Sequence, residues 1–256
     1  MAGTVQSVER AAAIVQLLAT EMEPLALAQI SSALSLAKPT AHGLLQTLCA
    51  VGFVEQDNAQ GRYRLGRDLL QLGSEPLDVN ELRSRAINWT DALAARTGQS
   101  ARVGLFRDGQ VLIAHHVFRV NSCDEVMQTG TSVPMHASAL GKVLVAFDPG
   151  AARACLGEPL ESLTYRTVSD RSTLLRQLAD VRDAGWAAAV EEAEPGLAGI
   201  AAPIRDRGGY VVAALGITGP VDLLCDSRSR PRPELVEDVL WAARAVSREF
   251  GHGRAT

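Results

Sequence analysis

The chain has 256 residues, enough for one or two domains with a sizeable core. Its formal charge is −4, which excludes a polycationic coat for nucleic acid and leaves any DNA binding to local charge. Aromatic residues make up only 4%, too few for a protein that works by stacking on single strands.

No apolar run approaches the twenty residues of a membrane-spanning helix, and no signal peptide opens the sequence. A soluble, cytoplasmic protein is expected. Cys49, Cys123, Cys155 and Cys225 are scattered, without metal-ligand or redox spacing, so reduced thiols are expected.

Met1–Gln6 reads as a loose tail. Ser7 can cap a helix from Val8 to about Thr20, with Val8, Ala11, Ile14, Val15 and Leu18 facing a core. After Pro24 a short helix is expected at Ala28–Leu34, then a turn at Ser35–Ala37. A second helix follows at Lys38–Val51. Its apolar stripe is Ala41, Leu44, Leu45 and Leu48. Pro39 suits its first turn and Gly52 stops it. Two short strands, Phe53–Gln56 and Arg62–Leu65, flank the turn residues Asp57–Gly61. That succession predicts a winged helix-turn-helix, whose second helix has the size of the DNA major groove.

A short helix is expected at Gly66–Gly73, a domain boundary at Glu75–Pro76, and a linker helix at Val79–Thr97 ended by Gly98. The domains are thus expected at residues 1–76 and 77–256. The second reads as mixed α/β. Strands are expected at Ala101–Arg107 and Val111–Phe118, joined by the hairpin signal Asp108-Gly109, and within Cys123–Gln128. Helices are expected at Met135–Phe147, Ala151–Leu156 and Ser172–Ala184. Strands follow at Ala187–Glu191, Gly199–Ile204 and Tyr210–Thr218, and Pro233–Phe250 closes the chain as a helix.

With these elements in place, the chain resembles IclR-family transcriptional regulators over nearly its whole length. The resemblance is carried by LAKPTAHGLLQTLCAVGFVEQD…GRYRLG at Leu36–Gly66, VPMHASALGK at Val133–Lys142, GWAAAVEEAEPGLAGIAAPIRDRGG at Gly185–Gly209 and VVAALGITGP at Val211–Pro220. It implies an α+β chain of two domains: a winged helix-turn-helix, a linker helix and a GAF-like α/β effector-binding domain. It also implies a homodimer or dimer of dimers that binds double-stranded operator DNA and a small-molecule effector. Such a protein regulates a catabolic operon, more often as a repressor, and needs no cofactor or metal.

On the DNA side the expected contacts are Lys38, Pro39, Thr40, His42 and Gln46 of the second helix and Arg62 and Arg64 of the wing. Residues 1–75 hold five Lys/Arg against seven Asp/Glu, but 38–67 hold four against two, so positive charge gathers weakly on this face. Gly43 stands where the family usually has an arginine. On the effector side the resemblance implies Ala139 and Leu140 on a helix and Ala189, Gly199, Gly216 and Thr218 on strands. Small residues at 189, 199 and 216 predict a larger, more apolar cavity than in relatives that bind small carboxylates, suited to an organic or aromatic acid.

The rival reading is a metabolite-binding α/β enzyme with an incidental helical N-terminus. Ser35-Leu36-Ala37-Lys38 matches a four-residue SxxK pattern, but its usual partner motifs are absent, as are GxSxG, GxGxxG and the P-loop. No catalytic residue is therefore expected. His115 and His116 are adjacent, so a strand would point them to opposite faces, which predicts structural histidines and no metal. Glu191 and Glu192 are likewise expected on opposite faces, as structural or pocket-rim charges rather than an acid/base pair.

Overall fold

In a computed structural model of the chain, Ile14, Ile30 and Leu45 are wholly buried together, one from each of three successive helices. These are α1 (Gln6–Thr20), α2 (Leu27–Ala33) and α3 (Lys38–Ala50). The structure describes residues 5–21, 23–57, 61–66, 69, 77–119 and 125–253. The chain divides into two units, Met1–Leu77 and Asp78–Thr256.

In the first unit, α1 begins one residue before Ser7, behind Val5 and without a side-chain cap. Ser7 therefore does not cap it. Val8, expected in the core, is 65% exposed, because the buried stripe begins further along at Ile14 and Leu18. The α2–α3 turn passes through Ser35 at a left-handed φ of 53°. The Leu36 N–H donates back to Ser31 O at 2.9 Å.

The wing consists of β1 (Val54–Gln56) and β2 (Tyr63–Leu65), antiparallel, with Glu55 opposite Arg64. Tyr63 is 3% exposed and exchanges both backbone hydrogen bonds with Leu25, which adds a third, single-residue strand. Gly66 closes the ribbon: a Cβ there would lie 2.1 Å from Gly52 O, so only glycine fits. The helix expected at Gly66–Gly73 lies largely outside the described residues, and the boundary at Glu75–Pro76 wholly so.

The second unit is built on one antiparallel sheet of order β5-β4-β3-β8-β7-β6. In chain order the strands are β3 (Ser100–Arg107), β4 (Gln110–Val117), β5 (Ser132–Val133), β6 (Ala187–Val190), β7 (Leu197–Arg205) and β8 (Val211–Pro220). Asp108 and Gly109, both at positive φ, make the β3–β4 turn. The middle strands are buried almost continuously, as strands covered on both faces must be.

One cover is α4 (Val79–Thr97) packed with α9 (Pro233–Glu249) against β3, β4, β7 and β8. The expected linker helix is thus a layer of this unit. Trp89 and Trp241 meet edge to face between these two helices, with the Arg96 guanidinium 4.7 Å over Trp241. The other cover is α5 (Ala139–Phe147), backed by α6 (Pro149–Gly157) and α7 (Arg171–Ala184). A short helix not foreseen from the sequence, α8 (Val221–Leu224), follows β8.

Two other expectations fail. The helix expected from Met135 starts only at Ala139, because Ser138 caps it: its Oγ accepts from Gly141 N at 3.1 Å. The preceding chain folds back so closely that a Cβ on Gly141 would lie 2.3 Å from Met135 O, which accounts for glycine inside this helix. A strand was expected within Cys123–Gln128, but residues 125–128 form none. They are tied by side chains instead of a ladder: the Gln128 N–H donates to His116 Nδ1, and Glu125 Oε2 accepts from the Arg119 N–H.

Candidate DNA interface and effector cavity

Helix α3 buries Ala41, Leu45 and Leu48 and turns Lys38, Pro39, His42, Gly43 and Gln46 outward, with Thr40 half-buried. Four-residue spacing sets Lys38, His42 and Gln46 in one exposed row. Three of the polar residues read from the sequence, Lys38, His42 and Gln46, therefore share one accessible helix face, with Thr40 off that row. Nothing lies within 4 Å of where a Gly43 Cβ would be, so an arginine would fit there.

The wing arginines are less free. Arg62 Nη1 donates to Pro24 O at 3.1 Å, and Arg64 pairs with Glu55 at 3.2 Å. The alternation around inward-facing Tyr63 is as expected, but the charge of Arg64 is partly spent on its cross-strand neighbour.

In the second unit a cavity of about 270 Å³ opens between the N-terminal end of α5 and the sheet. Ala139, Ala189, Gly199 and Thr218 line it. They converge: a Cβ at Gly199 would lie 3.4 Å from the Ala139 Cβ and 3.6 Å from Thr218 Oγ1. Leu140 and Gly216 do not line it. Leu140 packs in the core against Gly104. Gly216 lies so tightly against β7 that a Cβ would be 2.3 Å from Ile200 O.

The cavity is more polar than the small strand residues implied. Arg102 from β3, Gln128 from the segment leading into β5, Ser132 of β5 itself, Ser138, Glu192 and Glu194 also line it. Arg102 is paired across β8 with Gly216 and across β4 with His116. Its guanidinium lies 3.5 Å from Glu125. Burial pulls the Arg102 pKa down and Glu125 pushes it back up.

Glu125 also lies 3.2 Å from His116 Nε2, which is 2.8 Å from Ser100 Oγ. Because His116 Nδ1 accepts from Gln128 N–H, the neutral ring carries its proton on Nε2. Burial, and then Arg102, lower the His116 pKa. Burial would raise the Glu125 pKa, but hydrogen bonds from Ser100, the Arg119 N–H and His116 outweigh it. His115 is 3.9 Å from Asp91, and burial lowers its pKa too. Each histidine thus faces a different carboxylate, on a different element. Among the described residues no group of three or more His, Cys, Asp and Glu is placed to hold a metal.

Glu191 and Glu192 do point apart. Glu191 pairs with Arg166 at 3.1 Å near the surface. Glu192 turns inward to Lys142 at 2.5 Å. Lys142, 2% exposed, also donates to Gln177 Oε1 at 2.9 Å. Burial lowers its pKa and Glu192 opposes that. Sequence reading missed Arg102 and Lys142; it had Glu192 as a structural or pocket-rim charge, and Asn121–Gln128 as a candidate wall of unfixed register. The one available signal was a lone lysine within the apolar run Ala139–Phe147.

Two family models match the chain. The "IclR helix-turn-helix domain" matches residues 7–58, and "Bacterial transcriptional regulator IclR C-terminal" matches residues 75–248. A glycerol operon regulatory protein of Streptomyces coelicolor is 50% identical over 254 residues, covering 99% of this chain and 100% of that one. One from Streptomyces griseus is 48% identical with the same coverage. Among solved structures, an IclR homolog from Microbacterium hydrocarbonoxydans complexed with 4-hydroxybenzoate is 25% identical with a TM-score of 0.60, covering 96% of this chain and 99% of that one.

Proposed function

The chain belongs to the IclR family of bacterial transcriptional regulators, and from that membership we propose that it represses a glycerol-utilisation operon and is released by a small molecule. It is a DNA-binding regulator of a catabolic operon, and its relatives are regulators rather than enzymes. The finer reading rests on one observation, the 50% identity to a glycerol operon regulatory protein over essentially the full length of both chains.

In this reading Lys38, Pro39, Thr40, His42 and Gln46 enter the major groove, while Arg62 and Arg64 stand over the flanking backbone. A homodimer or dimer of dimers holds two such helices about one turn of DNA apart, roughly 34 Å, over a palindrome. Ala139, Ala189, Gly199 and Thr218 surround the effector, with Leu140 and Gly216 supporting from behind. Its site of action is the cytoplasm, where the operator is; among the described residues no helix is long and apolar enough to cross a membrane. The ligand acts by binding two arrangements of the protein with different affinity.

An organic or aromatic acid is the second reading of the effector, favoured by the 4-hydroxybenzoate in the Microbacterium homolog. Electrophoretic mobility shift tests the function. DNA upstream of the glycerol-utilisation genes of the same genome should shift at moderate salt, and a glycerol catabolite should reverse the shift. No shift of that DNA, with or without catabolites, would remove the glycerol assignment.

A further inference from the structure

The outer face of α9 carries charges of opposite sign on the two sides of its middle. Glu234, Glu237, Trp241, Arg244 and Arg248 are all exposed. At about 100° per residue they form one stripe roughly 80° wide. It points away from the buried Val236, Val239, Ala243 and Val246. The first half of the stripe is acidic and the second basic, and Trp241, 37% exposed, stands between them.

The helix dipole accounts for Glu234 in the first turn and Arg248 in the last, but it fades before Glu237 and Arg244. Within α9 these charges do not help one another. Glu234 and Glu237 are three apart and Arg244 and Arg248 four apart, so each charge has a like neighbour on the helix surface. Among the described residues none of the four belongs to an ion pair. The indole between them is already held edge to face by Trp89 and capped by the Arg96 guanidinium, so little side-chain freedom remains for a partner to remove.

We propose that this stripe is a two-fold interface whose partner is the same stripe on a second copy of the chain, with the two helices antiparallel and Trp241 at the dyad. In such a contact a residue n places before Trp241 meets one n places after it on the other copy. Glu234 is seven places before and Arg248 seven after, so this pair forms twice, once at each end. Glu237, four before, and Arg244, three after, come close to the same relation. A parallel arrangement would set like charge on like. A nucleic-acid backbone would meet as many carboxylates as guanidinium groups. Opposite charge at equal distance from a midpoint is what self-pairing requires and what an unrelated partner does not. The proposal extends the reading that copies of the chain assemble, by naming one face on which they do.

Sedimentation velocity and light-scattering mass of the full-length protein test it through two reversals of exposed charge. Glu234→Arg and Arg248→Glu each set like charges against each other at both ends of the contact. Each alone should weaken self-association at least about tenfold, with the circular dichroism of a folded protein. Mixed one to one, the two variants carry complementary stripes and should associate as the parent does. A chain with both reversals should do the same. Variants that associate as tightly as the parent overturn the interface, and so does a mixture that associates no better than either variant alone. In those cases a parent that still self-associates shows that only this face is wrong. A parent that is monomeric by both methods removes the assembly reading as well.

Discussion

Lys142 and Glu192, fifty residues apart in sequence, share an ion pair at 2.5 Å with side chains 2% and 9% exposed. Neither charge is tolerable alone at that depth. Lys142→Met would leave the inward-turned Glu192 carboxylate without its cation, and removing one partner of a buried pair costs about 3–5 kcal/mol. Chemical denaturation should show the second unit destabilised by that order. Adding Glu192→Leu should recover much of the loss, since an apolar pair of similar volume is often near neutral. A double variant no more stable than Lys142→Met would mean the pair acts through something other than mutual charge compensation.

Gly43 is exposed in the middle of α3 with open space beyond it. Gly43→Arg should stabilise the first unit by about 1 kcal/mol, the difference in helix propensity. It should also tighten non-specific DNA binding and steepen the logarithmic salt dependence by about 0.9 per protomer if the guanidinium meets one phosphate. Fluorescence anisotropy across a salt series reads both effects. An unchanged slope would place position 43 away from the DNA.

Arg64 is held by Glu55 across the wing, at an exposed site where the pair contributes little to stability. Glu55→Ala should leave the thermal midpoint nearly unchanged and increase DNA affinity, by freeing one cation and removing one anion. Arg64→Ala should do the reverse to affinity. Arg62→Ala differs, because it loses the bond to Pro24 O and should cost stability as well as affinity. Equal stability losses at 62 and 64 would contradict this division.

His115 and His116 both have pKa values lowered from 6.5 by burial. The unfolded chain then binds protons first as pH falls below about 6.5. Stability is thus full above that pH and is lost as pH descends toward the folded-state values. Thermal midpoints measured from pH 7.5 to 5 should fall, and His116→Gln should flatten part of the slope. A parent profile that is flat over this window would show that neither ring is neutral by virtue of folding.

The elements with strong periodicity or turn chemistry were legible from sequence. The Ile30–Leu48 core of the helix-turn-helix, the Asp108-Gly109 hairpin and the amphipathic α7 follow local rules that need no partner. The cavity was half legible. Ala139, Ala189, Gly199 and Thr218 were named through resemblance, and the structure brings these four together. Arg102 was not named, Gln128 fell only within a candidate wall of unfixed register and Glu192 only among rim charges, because they come from a strand, an irregular segment and a bend. Their convergence depends on strand order and on side-chain ties such as Gln128 to His116. Gly216 was misread for a related reason: the space beside a glycine is set by the neighbouring strand, here Ile200 O, and not by the glycine itself.

The start of α5 is fixed by the Ser138 cap and by Gly141 packed against the Met135 backbone, and so owes little to the side chains at 139, 189, 199 and 218. The frame of the cavity and its lining can therefore change independently over generations. Substitutions at 139, 189, 199 or 218 would retune which molecule is sensed while the helix stays where it is. One methyl group at 141 would shift the whole entrance at once, whatever the ligand.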